Sequence, residues 1–416
     1  MNWLLFLIMP MAVGDDNLTL SISQSIAMEI DNAYRGREHS FIKHELLKGY
    51  LQKLLLIVGT SGTHEIAYVD CFAGPWGPED ESMDGTSIAI SLDILKGVRD
   101  TLINPPFSIA GLKLRAIYVE KAKRRYKRLA DYLAANTPSG IECTPLCGDY
   151  SERLDDILHL CGNGFAFFFL DPKGWKDVTI PKLHRLATRR RSELLINFMY
   201  EFFNRFKGLP ELQQQVTDIL GDLDESDWQK LADCQPDARE AWVVRRYRDR
   251  LKETMGSEGR EKSRAYHAVI KDKNKDKTKY HMVYVTRHPK GIIEFAGQSE
   301  KADFIQRVVR IQTARANSRQ GDMFPAEEAA ECVDNDQIGI EKVEEYWLRL
   351  LDTEAKPFDE SVLADMLEET GWQISDFQKA FGQLLAAGKV ENIDALGKRP
   401  THFVHFKKAE RLRRTK

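Results

Sequence analysis

The sequence predicts an α/β protein: a doubly wound, mostly parallel sheet with a helical insertion and a small C-terminal domain. Three observations predict it. Short apolar runs alternate with amphipathic helical patterns from about residue 40 to residue 200, as in folds that cover both faces of a parallel sheet with helices. Several of these runs end at an acid: Asp70, Glu120, Asp149 and Asp171. The first run also opens into a turn carrying Phe72, Gly74 and Gly77, where the absence of a Cβ lets backbone approach a ligand.

The elements follow in order. A helical pattern covers Phe41 to Val58, with Leu47, Leu51, Leu54 and Val58 on one face, and Ser61-Gly62 ends it. Ile66 to Val69 is the first strand. Gly85-Thr86-Ser87 opens a helix through Leu95, whose free amides suit an anion or polar ligand. Leu114 to Val119 is a strand, Lys121 to Leu133 a basic helix, and Cys143 to Leu146 a short strand before Gly148-Asp149-Tyr150. Leu154 to Leu160 is helical, Phe165 to Leu170 is the central strand, Pro181 to Ala187 is helical, and Leu194 to Phe198 is another strand. Residues of about 201 to 262 read as a helical insertion. Strands at Lys279 to Thr286 and Gly291 to Phe295 then form a closing hairpin that supplies the missing sheet edge. These elements make a domain over 36–300, followed by a polar linker over 301–336.

Residues 337–406 form a separate unit. Helical patterns at Val343 to Leu351, Ser361 to Glu369 and Ser375 to Ala387 precede a hairpin of Val390 to Ile393 with His402 to Phe406. Ser375 and Gln378 resemble a capping box. Three helices and a hairpin make a winged helix-turn-helix pattern. The presumed recognition helix carries Lys379 and Asp376 and few groups that reach a base edge, which fits a protein-contacting or structural wing better than a DNA reader. Residues 407–416 read as a basic tail.

Composition narrows the class. A net charge of −3 over 416 residues rules out a wholly basic nucleic-acid magnet, so any basic surface is local. Six cysteines in a chain of this length do not make a disulfide framework, and no zinc-ligand spacing is present. Unpaired thiols fit a reducing, cytoplasmic compartment. The apolar start, Met1 to Val13, has no preceding Lys or Arg as a signal peptide would and is too short to span a bilayer; residues 1–35 are left outside the fold, with Met11 as an alternative first residue.

Acids at the carboxyl ends of neighbouring parallel strands define a crevice. For an adenosyl-like ligand, Glu120 is placed to accept from two ribose hydroxyls and Asp149 from an exocyclic amine. Asp70 and the Gly74 turn lie against the amino-acid or phosphate end. Asp171-Pro172 sits where a transfer would occur. Each residue has a second reading: Glu120 caps the basic helix, Asp149 caps the next one, Asp171 initiates a turn before Pro172, and Phe72 and Trp175 fill core. Trp76 covers the pocket in either reading.

Taken as a set, several motifs become specific. They are Tyr68-Val69-Asp70-Cys71-Phe72-Ala73-Gly74-Pro75, Gly85-Thr86-Ser87, Tyr118-Val119-Glu120, Leu170-Asp171-Pro172-Lys173-Gly174, and Leu195-Ile196-Asn197-Phe198-Met199 with Asn204-Arg205-Phe206. This set resembles the three-Cys-motif partner protein family, TcmP, and Lys43 falls where that family tends to place a lysine. The resemblance implies a class I methyltransferase-like fold, S-adenosylmethionine as cofactor, and a partner bearing a three-cysteine cluster motif similar to radical-SAM proteins. Asp171-Pro172-Lys173-Gly174-Trp175 is also similar to the Asp-Pro-Pro-Tyr motif of amino-methyltransferases acting on nucleobases. In that likeness Asp171 and the Pro172 carbonyl accept from the target amine and Trp175 stacks on the base. It departs in having Lys173 for the second proline and the aromatic one residue late.

The expectation is therefore a methyltransferase acting without metal on an amine of a nucleic-acid or similar substrate, away from membranes. Two alternatives are of another class: a non-catalytic adaptor for the three-cysteine protein, and a DNA-binding regulator working through 337–406.

Overall fold

The computed structural model describes residues 38–74, 83, 85–206, 210–259, 261–272, 277–317, 338–397 and 399–415. The expected segment over 1–35, the Pro75-Trp76-Gly77 part of the glycine turn and most of the 301–336 linker lie outside them.

Helix α1 (Glu38–Thr60) buries Ile42, Leu46, Leu47, Tyr50, Leu51, Leu54 and Leu55, one face at helical spacing, and Gly62 at φ +88° follows its end. Strands β1 (Glu65–Asp70), β2 (Lys113–Glu120), β3 (Ile141–Cys147), β4 (Phe165–Leu170) and β5 (Ser192–Phe198) run parallel. The sheet closes with β6 (Arg264–Lys271) and β7 (Thr278–Thr286) in the order β3-β2-β1-β4-β5-β7-β6, with β7 antiparallel to both neighbours. β4 is buried at every position because both faces are covered, which explains its unbroken run of apolar residues. Its alternate residues enter separate cores: Phe167 and Phe169 face α1, while Phe168 and Leu170 face the other side.

Helices α2 (Ser87–Ile103) and α3 (Lys123–Asn136) follow β1 and β2, and α4 (Leu154–Cys161) and α5 (Ile180–Thr188) follow β3 and β4. The insertion comprises α6 (Tyr200–Phe206), α7 (Gln213–Leu220), α8 (Glu225–Asp233) and α9 (Pro236–Met255). Val243, Val244, Tyr247 and Leu251 of α9 cover the second face.

Two expectations about the sheet are corrected. Gly291 to Phe295 is not a strand; it lies inside α10 (Pro289–Asn317), where Ile292, Phe295 and Ala296 bury one helical face. The hairpin partner of β7 is instead β6, whose Arg264, His267 and Lys271 interrupt the apolar pattern. The supposed linker begins inside α10, which is helical through Asn317.

Beyond it lie α11 (Ile340–Leu350), β8 (Lys356–Phe358), α12 (Glu360–Thr370), α13 (Ile374–Ala386), β9 (Val390–Asn392) and β10 (Glu410–Arg414), with the three strands antiparallel in the order β8-β10-β9. The three helices fall where expected, but the hairpin does not. β10, read as a basic tail, is the middle strand and buries Glu410 and Leu412. His402 to Phe406 pairs instead with a side chain: Gln378 donates to the Val404 carbonyl (2.8 Å) and accepts from the Val404 amide (3.0 Å). The capping box uses Gln373 and Asp376, not Ser375 and Gln378.

This unit shares its core with the sheet. One apolar cluster runs from Tyr68 and Phe167 through Tyr266, Ile292 and Ala302 to Leu363 and Phe377. A polar seam reinforces it. Arg264, 2% exposed, donates to Asp365 (2.6 Å), Glu368 (2.8 Å) and Ser361 (2.8 Å), and Tyr266 donates to the Gly371 and Trp372 carbonyls. Arg264→Ala takes the buried cation away from Glu368, while Asp365 keeps Lys262 at 2.6 Å, and is expected to cost about 3 kcal/mol. Urea unfolding followed by circular dichroism and by tryptophan fluorescence checks it, with coincident midpoints expected; two separated transitions would show that the halves do not share a core.

Candidate functional site

Because β1, β2, β3 and β4 are parallel, their carboxyl ends share one edge. Asp70 closes β1 and is fully buried. Its Oδ1 accepts from the Phe72 amide (3.0 Å) and its Oδ2 from the Ser87 hydroxyl (2.7 Å), tying the strand to the first residue of α2. Thr86 caps that helix, accepting from the Ala89 amide. Burial pushes the Asp70 carboxyl up to about 7; the hydrogen bonds from Ser87 and Phe72 oppose the rise and the Asp171 charge adds to it. The chain then turns between neighbours, with Cys71 donating to the Phe169 carbonyl, Ala73 to that of Val119 and Gly74 to that of Phe72. Phe72 is half-buried with its ring edge-on to Tyr150, 5.2 Å between centroids.

Glu120 ends β2 and is 3% exposed. Its Oε1 accepts from the Ala122 amide (2.6 Å) and from Arg125 (3.2 Å), so it does hold the start of α3. Among the described residues both contacts fall on one oxygen, which leaves Oε2 able to accept. Asp149 is more fully committed: Oδ1 takes the Ser151 amide and hydroxyl, and Oδ2 pairs with Lys121 at 3.0 Å. Burial opposes its ionisation, but the Ser151 and Lys121 contacts outweigh that and hold the carboxyl low. Gly148, at φ +142°, allows the chain to bend just before it.

Asp171 follows β4. Its Oδ1 accepts from the Asn197 amide (2.6 Å), and its Oδ2 pairs with Lys43 of α1. Burial alone would raise this carboxyl; Lys43 and Asn197 outweigh it and hold Asp171 as an anion. Pro172 is buried. Lys173 extends toward β2, where burial and the Arg125 charge hold its ammonium below the usual value and Glu120 acts in the other direction.

The structure thus gathers Asp70, Phe72, Gly74, Glu120, Asp149 and Asp171 at one edge. Gly77 lies outside the described residues. Trp175 does not join them: it is 2% exposed, edge-on to Phe203 at 5.3 Å, and so fills core rather than offering a stacking face. Sequence reasoning missed the partners. Ser87 and Asn197 lie within the quoted motifs, but no local pattern marks one as the holder of Asp70 and the other as the holder of Asp171. Among the described residues no helix is long and apolar enough to cross a membrane, and no cluster of His, Cys, Asp and Glu could hold a metal ion.

No family model matches the chain, and no curated protein matches it. Among solved structures it is similar to a Legionella pneumophila protein described by the family model DUF519, at 12% identity over 60% of this chain and 85% of that one, with a TM-score of 0.32. It is similar to a putative O-methyltransferase from Klebsiella pneumoniae, at 13% identity over 66% and 90%, TM-score 0.27. It is also similar to the O-methyltransferase TomG of Streptomyces achromogenes, involved in tomaymycin synthesis and solved with SAM, at 15% identity over 66% and 90%, TM-score 0.27. By its own sheet and site, the chain is a doubly wound α/β protein with a seven-stranded, mostly parallel sheet whose polar strand ends converge on one edge.

The Asp70 proton has a measurable consequence. The folded chain keeps it up to about pH 7, whereas an unfolded aspartate loses it near 3.8. Between those values the folded state holds more protons, so stability falls as pH rises and levels off above the folded pKa. Urea titrations from acid to neutral pH are expected to show wild type losing up to ~4 kcal/mol relative to Asp70→Asn across that window. Parallel profiles would show that the carboxyl titrates normally.

Proposed function

We propose that the chain is an S-adenosylmethionine-dependent methyltransferase, with the adenosyl half of the donor across the ends of β1, β2 and β3 and the acceptor beside Asp171. The observation that carries this reading is Glu120: a carboxylate 3% exposed at the end of the second strand, with one oxygen engaged and the other able to accept. A ribose diol needs such an acceptor. The remaining groups fit an adenosyl ligand. Asp149, already taking three donors, has capacity for a single further N–H, as an exocyclic amine offers. Phe72 supplies a half-buried ring against Tyr150, the residue that follows Asp149. When bound, S-adenosylmethionine supplies an electrophilic methyl group. This chain's part is to orient both ligands and exclude water, with the buried Asp70 and the Asp171 loop fixing the floor of the cleft.

The amine of a nucleic-acid or similar substrate belongs to this reading as the acceptor, and the Asp171-Pro172 motif supports it. Such an amine has to share Asp171 with Lys43. The three-cysteine partner also belongs here and rests on the motif set quoted for the family. The helix, strand, two-helix and hairpin order of the C-terminal unit supports a winged helix. Arg411 and Arg413 of its basic strand pair with Asp394 and Glu391, which favours a protein-contacting or structural wing over a DNA reader.

A second reading, a non-catalytic adaptor on the same scaffold, is favoured by one observation: Asp171 already has a cation within the protein. Calorimetric titration with S-adenosylhomocysteine separates the two. The methyltransferase reading expects binding that weakens about tenfold or more in Glu120→Gln, whose amide replaces a ribose acceptor. An absence of heat with wild type would leave the adaptor.

A further inference from the structure

Lys43 reaches from α1 to the carboxyl edge of the sheet and is 9% exposed. An ammonium carries three N–H donors, and buried donors are nearly always paired. Asp171 takes one of them, and among the described residues no other acceptor meets Nζ. Asp171 has the complementary surplus. A carboxylate offers about four lone-pair positions. Asn197 occupies one on Oδ1 and Lys43 one on Oδ2, and the side chain is 18% exposed. One ion pair therefore presents spare donors beside spare acceptors.

Charge decides what such a pair takes. Lys43 and Asp171 neutralise each other, and the further groups close by, His44 beside Asp171 and Asp70 when ionised, act in opposite directions. An oxyanion meets the carboxylates, and a cation competes with the ammonium; a neutral polar edge meets neither obstacle. We propose that the Lys43–Asp171 pair is a binding subsite for a neutral edge that carries a hydrogen-bond acceptor next to an N–H, as a nucleobase or a primary amide does. Lys43 donates to the ligand's acceptor atom, Asp171 accepts from its N–H, and Asn197 is a positioning residue that orients the carboxylate. The subsite rests on the proposed function only in making this edge part of the methyl acceptor; the binding itself stands apart from it.

The test is ligand-observed NMR by saturation transfer on the full chain, with cytosine and acetamide as probes and N,N-dimethylacetamide as the acceptor-only control. The subsite expects transfer to cytosine and none to the control. Acetamide binding as tightly as cytosine would assign the edge to an amide source, and weaker binding to a base. Lys43→Met is expected to weaken binding about tenfold or more. If that variant unfolds because Asp171 is left unpaired, Lys43→Gln keeps a donor toward Asp171 and is expected to weaken binding less. Transfer to neither probe, equal transfer to the control, or folded Lys43 variants that bind like wild type would overturn the proposal. Cytosine binding without S-adenosylhomocysteine binding would remove the methyltransferase reading and leave the subsite; the reverse would remove the subsite alone.

Discussion

The direction of the chain through β1 governs everything at the site. β1 is hydrogen-bonded to parallel neighbours on both sides, β2 and β4, so all three release their chains at the same edge. Polar residues that end these strands have no other place to go. Asp70 bears the cost most directly, because the centre of the sheet leaves its carboxylate no water. The Ser87 hydroxyl and the Phe72 amide offset part of that cost, and the proton retained to about pH 7 offsets more. The same two bonds fix the start of α2 against the end of β1, so burial of the acid and the shape of the cleft are one arrangement.

A strand buried on both faces was legible in sequence where its run is apolar throughout. Phe165 to Leu170 needs no tertiary information to be read. Elements buried on one face were harder. Gly291 to Phe295 has strand-like composition, yet Ile292, Phe295 and Ala296 fall on one helical face, and the apolar face of the sheet beneath decides between the two. β10 carries three arginines in five residues and reads as a tail, but its period of two, with Glu410 and Leu412 inward, is the signature of a half-buried strand. Buried Glu410 conceals that pattern because its partners, Arg399 and Asn392, are not its neighbours in sequence.

The site divides along the same line. Positions at strand ends follow from the order of the strands, so Asp70, Glu120, Asp149 and Asp171 could be named without coordinates. What each acid does depends on partners far away in the chain: Lys43 lies 128 residues from Asp171, and Asn197 lies 26. A single sequence carries no signal for such pairings. Trp175 shows the converse error, since its spacing from Asp171 invites a stacking role that the packing of Phe203 removes.

The remaining sheet edge explains why the C-terminal unit is part of the fold. β6 is the last strand, and an uncovered edge exposes backbone donors to other chains. Here Glu368 of α12 accepts from the Ala265 amide at 2.8 Å while its other oxygen takes Arg264, and Arg248 of α9 bonds both the Ala265 and Glu368 carbonyls at 2.7 Å. A helix side chain thus takes the place of a neighbouring strand. Glu368 of α12 is consumed in this role, and Ser375, Lys379 and Gln383 of α13 stay exposed on a helix whose Phe377 and Phe381 belong to the core shared with the sheet. Whatever that outer face meets, it meets a surface held rigid against the domain that carries the cleft, because the seam at Arg264 and the shared core leave the two halves no separate packing.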